Sequence, residues 1–284
     1  MKRKLLLGLL ICVIASWSFA SQSDGIYTFK VGQMEVSMMV DRENPGNAKI
    51  LAGADDAVLK RYIPADGFTH STNTFLIKAP GTNILVDTGF GQVVFQKLDK
   101  LGVKPEQINA VLMTHLHGDH IGGLAKDGKA LFPNAKIYVS NKEYDYFTRT
   151  QVNNAVVAAL APYASRVVTF DPSDIGGKLT ELIPGIFPIA AYGHTPGHTA
   201  YMLDNSGSRF IIWGDLLHVA LVQFPVPDIS STYDTDQKAA AAVRRQIMNY
   251  AATNKISIGG MHMVYPAVGA VTADGNGFKF TPAE

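Results

Sequence analysis

After a basic triplet and one long apolar stretch at its start, the chain breaks into short apolar segments separated by polar turns. "IYTFKVGQMEVSMMV" alternates and then runs apolar, which predicts strands. "NTFLIKAPGTNILVDTG" reads as two strands around a Pro-Gly turn, the second ending in Asp87-Thr88-Gly89. "QVVFQKLDKLG" has helical spacing and stops at Gly102. "INAVLMT" and "KIYVS" are further strands, and "NKEYDYFTRTQVNNAVVAALAPYA" is mostly helical, with aromatics on one side that read as core. "GIFPIAAYG", "TAYMLDNSGSRFIIWGD" and "KISIGGM" add short strands, and the Ala-rich "TDQKAAAAVRRQIMNYAATNK" between the last two predicts a long helix. Strands and helices alternate without repeats or low-complexity tracts, which defines an α/β chain with sheets covered by helices.

The opening segment, "MKRKLLLGLLICVIASWSFA", has a basic n-region at Lys2, Arg3 and Lys4, an apolar stretch from Leu5 to Ala15, and a small-x-small site at Ser18-Phe19-Ala20. That pattern predicts a secretory signal peptide over residues 1–20 and a single domain over residues 21–284. The expected location is periplasmic or secreted. Cys12, the only cysteine, lies inside this segment, so the mature chain would carry no disulfide, thiolate nucleophile or Cys ligand. With 25 basic and 24 acidic residues, three of the basic ones in the leader, there is no basic cluster to attract nucleic acid. No further apolar run reaches membrane-spanning length. A small molecule is therefore the expected partner, not nucleic acid or a membrane.

Seven of the 8 histidines and two aspartates fall at or beside predicted strand ends. "THLHGDH" follows the apolar "INAVLM". His115 and His117, two apart in extended backbone, point the same way and can reach one ion; Asp119 and His120, entering a turn, are placed for a second ion close by. More donors must come from downstream: His194 and His198 in "GHTPGHTAYML", Asp215 and His218 in "FIIWGDLLH", and His262 in "ISIGGMHMVYP".

"HLHGDH", "TPGHT", "WGD" and "GMH", in that order, resemble the successive metal-binding motifs of the metallo-β-lactamase superfamily, and "LVDTG" resembles its early Asp motif. The resemblance spans Asn73 to Gly269 and implies an αββα sandwich with the metals at one edge of the paired sheets. It implies that His115, His117 and His198 hold one divalent ion, that Asp119, His120 and His262 hold the other, and that Asp215 bridges them. Two zinc ions suit such a donor set, which also accepts iron, cobalt or manganese. His194 is expected to support the loop rather than to ligate, Asp87 to orient the metal-binding loop through hydrogen bonds, and His70 to be structural or to line the pocket.

Within the superfamily, the missing Cys ligand and the presence of Asp215 argue against a β-lactamase, the short tail after His262 against a glyoxalase II-like thioesterase, and the lack of an inserted domain against a nuclease. "GDLLHVALVQFPVPDISSTYDTDQKAAAAVRRQIMNYA" and "GGMHMVYPAVGAV" resemble the lactonase and methyl-parathion-hydrolase branch, except that Tyr265 stands where Phe is usual. The expected activity is lactone ring opening, with acyl-homoserine lactones among the candidates; Asp119 and His218 assist the leaving oxygen, and Phe68, Phe90, Phe224, Met263 and Tyr265 are candidates for an apolar pocket. Phosphotriester or phosphodiester hydrolysis, β-lactam hydrolysis and non-catalytic metal binding are the alternatives. The resemblance also admits a homodimer.

Overall fold

A computed structural model describes residues 24–284. The expected leader at residues 1–20 lies outside the described residues. A seven-stranded sheet runs in the order Ile26–Val31, Met34–Pro45, Thr69–Ala79, Thr82–Val86, Ala110–Leu112, Lys136–Ser140 and Val167–Phe170. A six-stranded sheet runs Ile186–Ala190, Thr199–Asn205, Ser208–Ile212, Ser257–Gly259, Val268–Asp274 and Gly277–Pro282.

Strand periodicity explains the layering. Phe75 and Ile77, Ile84 and Val86, and Ala110 and Leu112 face the second sheet, where they share one core with Tyr201, Leu203, Phe210, Ile212 and Trp213. The intervening Leu76, Leu85 and Val111 point the other way, into a separate core with Val94, Leu98, Phe147, Val156 and Leu160 on the covering helices and Phe132 in the loop before Lys136–Ser140. Because both faces of the first sheet are buried, its strands read as continuous apolar runs. On the far side of the second sheet lies the helix Gln237–Asn254. Asp236 caps it by accepting the Ala239 N–H at 2.9 Å, and Ile247, Met248 and Ala251 are its buried positions over the sheet. The result is the expected αββα sandwich.

Strand direction gathers the chemistry. Thr82–Val86, Ala110–Leu112 and Lys136–Ser140 are mutually parallel, as are Ser208–Ile212 and Ser257–Gly259, so the segments leaving their C-terminal ends converge. Backbone bonds then tie the two sheets together at that edge. Thr199 N–H donates to Thr114 O at 2.8 Å, and Asn73 donates from its backbone to Met261 O and from its amide to Gly260 O and Met263 O.

Several elements depart from the sequence pattern. The segment after Ser140 that reads as mostly helical holds three pieces: an α-helix at Asn141–Asp145, a π-turn at Tyr146–Thr150 and a second α-helix at Asn154–Leu160 capped by Asn153. The turn that Asp119 and His120 enter is a single helical turn, Gly118–Ile121. The final hairpin, Val268–Asp274 with Gly277–Pro282, extends the second sheet beyond the strands that the apolar pattern picked out.

Candidate metal centre

Each strand end delivers its donor through a defined local conformation. His117 is extended, with φ −72° and ψ 159°, and ends the run that brings His115 and His117 to one side; the helical turn after it redirects Asp119 and His120. Asp87 sits in left-handed backbone at φ 56°. There its carboxylate accepts the Thr114 N–H at 2.8 Å and the Thr114 hydroxyl at 2.6 Å, and meets His120 Nδ1 at 2.7 Å. The glycine before Asp215 is required: Gly214 has φ +60°, and a Cβ there would lie 2.4 Å from His198 Nε2. His262 is held through its Nδ1, which donates to Ser71 O at 2.8 Å.

Three imidazole nitrogens meet at one point. His115 Nε2, His117 Nδ1 and His194 Nε2 lie 3.0–3.2 Å apart. Tetrahedral zinc, with Zn–N bonds of about 2.0–2.1 Å, sets its ligand nitrogens about 3.3 Å apart. A second group joins Asp119, His120 and His262, with Asp119 Oδ2 at 3.7 Å from His120 Nε2 and 3.5 Å from His262 Nε2. Asp215 stands between the groups. One oxygen is 3.3 Å from His120 Nε2, and the other is 2.9 Å from His262, 3.4 Å from His194 and 3.7 Å from His115.

The geometry corrects one expected ligand: His194, not His198, completes the His115–His117 group. Both ring nitrogens of His198 are already committed, Nδ1 donating to Ala191 O at 2.9 Å and Nε2 accepting the Asp215 N–H at 3.0 Å. His198 therefore positions the backbone of Asp215. His194 instead has Nδ1 bound to the buried Asp234 carboxylate at 2.9 Å, which leaves its Nε2 lone pair facing His115 and His117.

The residues fit two divalent cations. His120 Nε2 and Asp215 Oδ1 are buried without a hydrogen-bond partner among the described residues, a costly arrangement that a cation between them would relieve. Burial holds His115 and His194 well below the ordinary histidine range, so both offer a neutral lone pair. Burial also opposes charge on His120, but Asp215, Asp119 and Asp87 outweigh it and raise this imidazole well above its ordinary value. That excess of negative charge favours any cation, proton or metal.

His218 Nε2 is 3.3 Å from Asp215 Oδ2, and its ring stacks on His262 at 5.0 Å. Its Nδ1 is buried without a hydrogen-bond partner among the described residues. His70 also stacks on His262, with ring centres 4.5 Å apart, and burial pushes it down to about 4. From His218 and His262 a cleft of about 820 Å³ opens outward, lined by Phe68, Phe224, Met263, Val264, Tyr265 and Phe280 among others. Phe90 is not among the lining residues; it packs under the Arg42 guanidinium, 3.8 Å from its ring centre.

Three residues that support the centre carry no motif. Asp234 stands behind His194, the buried Arg244 faces Asp234, and the buried Glu143 ties two ligand loops together. Glu143 accepts the Leu116 N–H at 2.9 Å, the Thr195 hydroxyl at 2.6 Å and the Gly197 N–H at 3.0 Å.

Paired sheets flanked by helices, with clustered His and Asp side chains at one edge that could hold cations, define the architecture. The chain belongs to the metallo-β-lactamase superfamily, whose domain it matches over residues 67–248. It is 24% identical over 117 residues to an N-acyl homoserine lactonase of Bacillus cereus, covering 40% of each chain. It is 36% identical over 78 residues to the anti-Pycsar protein Apyc1 of Saccharibacillus brassicae, covering 28% of each. These alignments thus span well under two thirds of those relatives. Among solved structures, hydrolase AbOPH of the beta lactamase superfamily superimposes with a TM-score of 0.83 at 29% identity, over 93% of this chain and 99% of that one. AidC, a dizinc quorum-quenching lactonase, shares the fold with a TM-score of 0.83 at 24% identity, over the same shares.

Proposed function

We propose that the protein is a metal-dependent hydrolase that opens lactones, using two divalent ions, zinc in the first instance, and that the leader at residues 1–20 exports it to the periplasm or beyond the cell. The observation that carries this reading is the apolar cleft joined directly to the metal centre at His218 and His262. Besides His218 and His262, the charged residues lining it among the described residues are Lys279, Glu43 and Asp274. Such a wall suits an uncharged ester with an apolar substituent and disfavours a nucleic-acid backbone. The similarity to a Bacillus cereus lactonase and to AidC supports the same choice.

His115, His117 and His194 would hold one ion, Asp119, His120 and His262 the other, with Asp215 shared. When bound, the pair supplies Lewis-acid polarisation of a carbonyl and a nucleophilic water at neutral pH. The chain's own residues do the rest. Phe224, Met263 and Phe280 exclude bulk water and orient the acyl part of the substrate. His218, at the boundary between cleft and centre, donates a proton from its ring to the departing alkoxide, and Asp119, whose side chain is 25% exposed, is open to receive the proton lost by the attacking water. The net reaction adds one water across the C–O bond and yields a hydroxy acid.

The test is turnover of a long-chain acyl-homoserine lactone, dihydrocoumarin, nitrocefin and methyl paraoxon by the metal-loaded protein. Lactone turnover well above the others is expected, lost on chelation. A clear preference for paraoxon or nitrocefin would overturn the substrate assignment; full activity after chelation would overturn the metal mechanism.

A further inference from the structure

Beneath the metal centre, and outside the chemistry above, lies a buried cation and anion pair. Arg244, on the inner face of the helix Gln237–Asn254, is fully buried, an expensive position for a guanidinium unless its donors are used. Its Nε donates to Leu216 O at 2.6 Å, and its Nη1 donates to Pro227 O at 2.8 Å and Ile229 O at 2.9 Å. The remaining nitrogen, Nη2, has no hydrogen-bond partner among the described residues and lies 3.6 Å from Asp234 Oδ2.

Asp234 spends its two oxygens on two structures. Oδ2 accepts the Ser231 N–H at 2.8 Å, and Oδ1 meets His194 Nδ1 at 2.9 Å. The next residues close around the same histidine: Thr235 donates to His194 O from both its backbone and its hydroxyl at 2.9 Å, and Asp236 N–H donates to Gly193 O at 2.9 Å. One guanidinium therefore touches the residue directly after Asp215 and the carboxylate directly behind His194. These two donors come from different strand ends.

We propose that Arg244 and Asp234 are a positioning pair for the His115–His117–His194 cation site, with Asp234 fixing the His194 ring and tautomer and Arg244 holding Asp234 and the Asp215–Leu216 backbone in register. The physical logic is directional. A carboxylate that accepts from His194 Nδ1 keeps the proton on that nitrogen and strengthens Nε2 as a donor to a cation. A carboxylate facing a buried guanidinium cannot rotate away without stranding that positive charge. The other site has its own device, Asp87 behind His120, so loss of the Arg244–Asp234 pair should weaken one ion and spare the other. This inference rests on the two-ion centre and not on the choice of substrate.

The experiment titrates Zn²⁺ alone, against a competing chromogenic chelator, into the full chain and into Asp234→Asn, Arg244→Lys and the double variant, with Co²⁺ absorption spectra and thermal melts alongside. Asp234→Asn should bind one ion as the parent does and the other about 10–100-fold more weakly, with a changed Co²⁺ spectrum. Arg244→Lys should weaken the same ion by a smaller factor and add little in the Asp234→Asn background, because it acts through Asp234. Parent-like affinity for both ions in folded Asp234→Asn would overturn the proposal, even if the melting temperature fell, since that is the mark of a purely structural role. Should Arg244→Lys fail to fold, Asp234→Asn alone decides. A parent chain that binds fewer than two ions would remove the centre and the inference together.

Discussion

At the residue scale, the contrast between His194 and His198 carries the sharpest test. His194→Ala should cost the chain one of its two ions with little loss of fold. His198→Ala should keep two ion sites but strand the Asp215 N–H in a buried place, lowering stability by about 1–3 kcal/mol. Metal analysis and thermal melting of the two variants check this, and loss of an ion in His198→Ala with none lost in His194→Ala would reverse the assignment. Gly214→Ala is the companion case. Its Cβ would press on His198 Nε2 in left-handed backbone, so a loss of about 2–4 kcal/mol is expected from the same melts. These two histidines also show where sequence legibility ends. His115, His117, Asp119 and His120 were readable as a cluster because one loop holds all four. His194 and His198 share a loop and a composition, and what separates them is the partner on each Nδ1. For His194 that partner is Asp234, forty residues away along the chain, and for His198 it is the Ala191 carbonyl.

At the element scale, the strands were legible because burial on both faces writes continuous apolar runs, as at Phe75–Ile77 and Ile84–Val86. The closing hairpin was not, since outward polar residues such as Thr272, Asp274 and Lys279 dilute its pattern and only the Asp274–Gly277 turn marks it. Glu143 is an element-scale device of the same hidden kind: from the short helix after Lys136–Ser140 it clasps the loops bearing His117 and His194. Burial pushes its carboxyl from 4.5 up to about 7, against the pull of its Thr195, Leu116 and Gly197 donors. The folded chain then holds this proton more tightly than the unfolded chain. The stabilisation from Glu143 is therefore full below pH 4.5 and falls as pH rises to about 7. Glu143→Gln cannot titrate and leaves an amide N–H₂ against backbone donors, so it should be less stable than the parent by about 1–3 kcal/mol. Its deficit in urea unfolding should shrink as pH rises through that window. A deficit that grows with pH would mean that the ionised carboxylate, not the protonated one, is the form the fold prefers.

At the scale of the whole molecule, the sandwich gives the metal centre a second wall. The last strands and the segment after Asp215 enclose the cleft, with the Phe224 and Phe280 rings stacked at 5.2 Å and 11° beside it. Leu221 and Val264 remain 44% and 49% exposed among the residues lining it, an apolar surface that a ligand entering the cleft would cover. For the proposed lactonase this geometry has a quantitative consequence. Each methylene of the acyl substituent that leaves water for this wall gains about 0.8 kcal/mol, or roughly a fourfold rise in kcat/KM where the gain is expressed in the transition state. A series of lactones of increasing chain length should therefore show a stepwise rise that levels off once the cleft is filled. Phe280→Ala should flatten the long-chain end by about 1–2 kcal/mol while leaving the shortest lactone nearly unchanged, because that substrate does not reach the ring. Steady-state kinetics on the metal-loaded parent and variant decide it. A flat profile in the parent, or an equal loss on every chain length in Phe280→Ala, would separate the cleft from substrate recognition and leave the metal centre without its proposed partner.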